Sequence, residues 1–144
     1  MTALTTERNT KTRLGDLRHD AVAASVKIFA GSIVLRNAAG YLTKGATVTA
    51  CFAVGRAEDT VDNTAGAAGA ANLAYRIGQF AFANSGGGDL ITQADIGKLC
   101  YVVDDQTVAK TDGAGTRSRA GIVEGIEGTS LVWVRFDEAV TRAT

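Results

Sequence analysis

The apolar residues of this chain come in stretches of only two to seven residues, separated from one another by glycine, asparagine or aspartate. Val26 and Ile28, Ile33–Leu35, Tyr41-Leu42, Val48–Val54, Leu99–Val103, Thr107–Ala109, Ala120–Ile126 and Leu131–Phe136 follow this rule. Such runs are too short for the three-turn amphipathic helices that build α domains, and their β-branched content suits strands. The 17 glycines and the absence of proline fit a chain that reverses often through residues tolerant of positive φ. Asn37-Ala-Ala-Gly40 reads as a hairpin turn. Leu73, Tyr75 and Ile77 alternate with Ala74 and Arg76, and the large residues then reappear out of phase at Phe80 and Phe82, so a bulge is expected at Gly78. Thr92-Gln-Ala-Asp95, with Gly97 behind it, fits one short capped helix of one or two turns. Ala65–Ala71 reads as a flexible low-complexity loop.

These elements predict an all-β protein: a small antiparallel β-barrel or sandwich with one short helix. With 144 residues and 46% apolar content the chain is long enough for one core. The expected boundaries are an N-terminal arm over residues 1–24, a β-barrel domain over 25–137 and a loose tail over 138–144. The arm stands apart in composition, with five threonines in its first twelve positions and seven charged residues in its first twenty. It holds too few apolar side chains to offset an ordering cost of about 1–2 kcal/mol per residue, so it is expected to be disordered in isolation. Extended, about 22 residues would reach on the order of 70–80 Å.

Reactive chemistry is scarce. His19 is the single histidine and lies in the arm; Cys51 and Cys100 lack metal-ligand spacing and are expected to be small buried thiols, with a disulfide left open. The acids at Glu58-Asp59, Asp62, Asp104-Asp105 and Asp112 suit turn caps better than a cation site. None of the glycine-rich stretches matches a phosphate loop. Fifteen basic and fifteen acidic residues cancel, which argues against nucleic acid or an anionic membrane as partner. No apolar run approaches a membrane span and Met1–Asp20 lacks a signal-peptide pattern, so a protein made in the cytoplasm is expected. Lys110, Arg117 and Arg119 flank a loop with no aromatic between them, which favours salt bridges over single-strand binding; Arg117 and Arg119 are candidates for a subunit interface. Neither an enzyme activity nor a cofactor is expected.

Six short blocks, Val26–Gly31, Val54–Glu58, Thr60–Asn63, Ile91–Lys98, Tyr101–Lys110 and Gly115–Gly121, occur in an order that resembles the head decoration, or cement, proteins of tailed bacteriophages. The resemblance spans roughly residues 4–136. It implies a structural virion protein on the outer surface of an icosahedral head, joining neighbouring major capsid subunits after expansion. It also implies a barrel or tulip-like domain, an arm laid over the capsid, and assembly as trimers or dimers. The arm maps to Thr2–Ala24, where Leu4, Leu14 and Leu17 are the candidate apolar anchors and Arg8, Lys11, Arg13 and Arg18 the candidate polar contacts. A ligand- or carbohydrate-binding β-domain of a phage tail or fibre is the alternative expectation.

Overall fold

A computed structural model of the chain describes residues 2–11, 13 and 15–142. Its strands run β1 (Leu17–Ala21), β2 (Val26–Ile28), β3 (Ile33–Arg36), β4 (Leu42–Lys44), β5 (Phe52–Ala57), β6 (Val61–Asn63), β7 (Asn72–Arg76), β8 (Gln79–Asn84), β9 (Leu99–Val102), β10 (Thr107–Ala109), β11 (Arg119–Glu127) and β12 (Leu131–Arg135). One α-helix, α1 (Glu138–Arg142), closes the chain. The protein is all-β, and among the described residues no helix is long and apolar enough to cross a membrane.

The strand pairings form two circuits. In the first, β1 pairs with β7, β7 with β5, β5 with β3 and β3 with β4. A bridge from Leu42 to Val22, with the Ala23 N–H donating to the Leu42 carbonyl at 2.8 Å, returns this circuit to the end of β1. In the second, β11 pairs with β12, β12 with β8, β8 with β10, β10 with β9 and β9 with β11. A single bridge, Arg119 to Phe52, joins the two through β11 and β5. That bridge and the β8–β10 contact are parallel, so the sheet is mixed where a purely antiparallel one was expected.

Each circuit has its own apolar core, and β3 and β5 divide them. Val34 and Val54 pack with Val22, Ile28, Leu42, Leu73 and Tyr75, whereas Ile33, Leu35 and Ala53 pack with the valines of β9 to β12. The strict alternation of β3 therefore buries both of its faces, which is why Ile33-Val-Leu35 reads as an unbroken apolar run. Burial of each such side chain contributes about 1.5–3 kcal/mol. The two-stranded sheet β2–β6 covers the first core with Val26, Ile28 and the half-buried Val61.

Two glycines permit close backbone packing. A Cβ on Gly121 would lie 2.2 Å from the Arg135 carbonyl oxygen, and one on Gly55 would lie 2.2 Å from that of Arg76. Gly55 also has a φ of 158° and follows Val54, the extra residue where the β3–β5 register shifts.

Several sequence expectations are corrected. Gly78 is not a bulge within one strand; it links β7 and β8, which pair with different neighbours, so the phase change in the apolar pattern marks a change of partner. The expected strand over Val48–Val54 begins only at Phe52, because Ala50 takes a positive φ of 59°. The capped segment is a single 3-10 turn, Gln93–Asp95, in which the buried Asp95 carboxylate accepts from the Thr92 N–H at 2.9 Å and from its hydroxyl at 3.2 Å. The 138–144 tail is not loose over its described part. The Asp137 carboxylate accepts the Ala139 N–H at 2.9 Å and caps α1, whose buried Thr141 donates its hydroxyl to the Ala53 carbonyl at 3.0 Å. The Ala65–Ala71 stretch is likewise tied down, since the buried Asn63 amide donates to the carbonyls of Ala23 and Ala67.

Candidate attachment surface

The arm divides at Gly15. Residues 2–11 and 13 are exposed throughout and lie outside regular structure; among the described residues their one backbone hydrogen bond runs from the Thr10 N–H to the Arg8 carbonyl. Leu4 is 72% exposed, an unusual state for a leucine and the plainest free apolar contact on the arm. Arg8, Lys11 and Arg13 are also exposed, while Leu14 lies outside the described residues.

Beyond Gly15 the expected arm becomes part of the body. Residues 17–21 are β1, a strand that follows from Leu17, His19 and Ala21 alternating with Arg18 and Asp20. Leu17 and His19 share the exposed face. Arg18 points the other way: its Nε donates to the Gly15 carbonyl at 3.1 Å, and Nη1 lies 3.3 Å from Glu138 Oε1 on α1. Asp16 binds Arg76 Nη1 at 2.7 Å, and the Ile77 N–H donates to the Asp16 carbonyl. Asp20 binds Arg36 at 2.7 Å, and the same guanidinium donates to the hydroxyl of the buried Tyr75 at 3.0 Å. The backbone N–H of Leu17 holds the Asp16 carboxyl below the usual range, with Arg76 acting the same way. Burial opposes the shift at Asp20, but hydrogen bonds from Arg36 and the Ala21 N–H win and lower it too. The base of the arm is therefore clamped to β7, β3 and α1, and its outer part stands clear.

A groove of about 690 Å³ opens on the body beside α1. Its floor is one rung across four strands: Arg36 on β3 faces Phe52 on β5, Phe52 is bridged to Arg119 on β11, and Arg119 faces Tyr101 on β9. The guanidinium of Arg142 lies over the Phe52 ring at 5.5 Å. Arg117 also lines this groove but is engaged within the chain, 3.2 Å from Asp89 and donating to the Thr111 carbonyl at 3.0 Å. Among the described residues Arg119 has no ion-pair or side-chain hydrogen-bond partner. Of the two candidate interface arginines, Arg119 is the free one. No local pattern announces that Phe52 and Tyr101 stand beside it, because they lie 67 and 18 residues away and only strand register brings them together.

Little on this surface is suited to covalent chemistry. His19 is exposed on β1 and does not line the groove. Among the described residues no three His, Cys, Asp or Glu side chains are grouped to hold a metal ion. Both cysteines are free thiols. Burial raises the thiol of Cys51, and the fully enclosed Cys100 is pushed up to about 12, far from the thiolate form a nucleophile requires. Together these features define an all-β body with a clamped, outward-projecting arm and an arginine-aromatic groove. No protein-family model, curated protein or solved structure matches the chain.

Proposed function

We propose that this protein is a structural component of a tailed-phage head, which binds the outer capsid surface and cements neighbouring major capsid subunits. The observation that carries this reading is the contrast within the arm. Residues 2–11 make almost no contact with the body and display Leu4, while Asp16, Arg18 and Asp20 anchor the root on three separate elements. A segment of this kind binds by ordering on its target, with modest affinity for each arm. Assembly of the bodies as trimers or dimers would multiply that affinity through effective concentration. Leu4 and Leu17 are the apolar anchors of the proposal, and Arg8, Lys11 and Arg13 its exposed polar contacts. Arg18 serves the root instead. The resemblance of the ordered blocks to decoration proteins favours the same role.

The test is attachment to expanded heads assembled from the major capsid protein of the same phage or prophage. Full-length protein is expected to co-sediment at saturating, regular occupancy, and a chain lacking residues 2–13 to remain folded yet stay in the supernatant. Full occupancy by the truncated chain would refute the arm's role. Particle images with density at the tail or fibre tips, and none over the head, would instead assign a ligand- or carbohydrate-binding tail module.

A further inference from the structure

We infer that the groove beside α1 is a binding site for an acidic, extended polypeptide segment of a partner protein. The chain carries no formal net charge, yet four of the groove's lining residues are Arg36, Arg117, Arg119 and Arg142, against the single acid Asp112. Two of these cations are balanced inside the fold, Arg36 by Asp20 at 2.7 Å and Arg117 by Asp89 at 3.2 Å. Among the described residues the other two have no ion-pair partner. Arg119 stands between Phe52 and Tyr101 on the shared rung, and Arg142 lies over the Phe52 ring. Strands are about 4.8 Å apart, so the Arg36 and Arg119 positions are about 10 Å apart, the span of three residues of an extended chain.

A guanidinium held at the end of a rigid strand presents a planar fork that matches a carboxylate in two parallel hydrogen bonds. Flanking rings remove competing water on either side and offer apolar surface to the residues between the acids. Charge count separates this occupant from a single-stranded nucleic acid. A polyanion needs a continuous basic track and a favourable long-range field, whereas here two unbalanced cations stand on a neutral protein. The site is also distinct from the arm, whose described charged residues are Glu7, Arg8, Lys11, Arg13, Asp16, Arg18 and Asp20, three acids against four bases.

The experiment is fluorescence anisotropy of full-length protein with a labelled decapeptide of alternating acidic and apolar residues. Its Gln/Asn counterpart and a labelled ten-nucleotide oligothymidylate run in parallel. Binding of the acidic peptide, loss of binding on neutralising it, and an affinity on the order of tenfold weaker in Arg119→Gln and in Arg142→Gln are expected. Arg119→Lys keeps the charge without the fork and is expected to recover binding only in part. Unchanged thermal midpoints and unchanged head attachment in these variants separate the groove from the arm. Equal binding of the neutral peptide, undiminished binding by Arg119→Gln, or preference for the oligothymidylate would overturn the inference, the last by naming nucleic acid as the occupant.

Discussion

Arg18 and Glu138 stand 120 residues apart in the chain and 3.3 Å apart in space, so the root of the arm and the C-terminal helix hold each other. Both side chains are about one-third exposed, which limits the pair to roughly 0–1 kcal/mol of global stability. Its effect is expected to be local. Arg18→Gln should leave the thermal midpoint nearly unchanged while hydrogen exchange quickens in α1 and at residues 17–19. Unaltered protection in both segments would show that the pair does not couple them.

Gly121→Ala is expected to be severely destabilising, by about 3 kcal/mol or more, because its Cβ would enter the Arg135 carbonyl and crowd Val134. Urea titration measures the loss. Gly86→Ala, where nothing lies within 4 Å of the added carbon, serves as the control and should shift the midpoint by no more than about 0.5 kcal/mol.

Replacing Thr141 by valine keeps the shape of the side chain but removes the hydroxyl that donates to the Ala53 carbonyl. The orphaned acceptor costs about 1–3 kcal/mol in that buried position. Loss of α1 signal by circular dichroism before the main unfolding transition would accompany it, since the hydroxyl supplies a hydrogen bond from the helix to β5.

Acid should destabilise the protein in part through Asp95. Hydrogen bonding from the Thr92 N–H, which outweighs the opposing burial, and the charges of Lys110 and Lys98 lower its pKa below the ordinary 3.8. The unfolded chain then binds a proton more readily than the folded one, so the contribution is complete above about pH 5 and is lost as pH falls through the folded value. Asp95→Asn should flatten the acid limb of the stability curve below pH 4 relative to the parent. An identical slope in both proteins would assign the acid sensitivity elsewhere.

The thiols should differ sharply in reactivity. At pH 8 a disulfide reagent is expected to label the half-buried Cys51 slowly and to leave Cys100 untouched until the protein unfolds. Equal labelling of both in native protein would mean that the second core opens far more readily than its packing implies.

What the sequence determined by itself is local. Short apolar, β-branched stretches marked β3 and β12, period-two alternation marked β7, and the polar, threonine-rich start marked the arm. Asp137 caps α1, but five helical residues give too short a periodic signal to mark a helix in the sequence. Tertiary structure decided which strand lies beside which, and with it everything that gathers at the candidate sites. The out-of-phase pattern at Gly78 is the same in sequence whether one strand bulges or two strands take different partners; only the pairing of β7 with β5 and of β8 with β12 separates the cases. Likewise Arg36, Phe52, Arg119 and Tyr101 belong to four strands, and no local preference specifies that they share a rung. Backbone preference acts over a few residues, whereas partner choice minimises exposed apolar area and unpaired backbone groups over the whole chain at once.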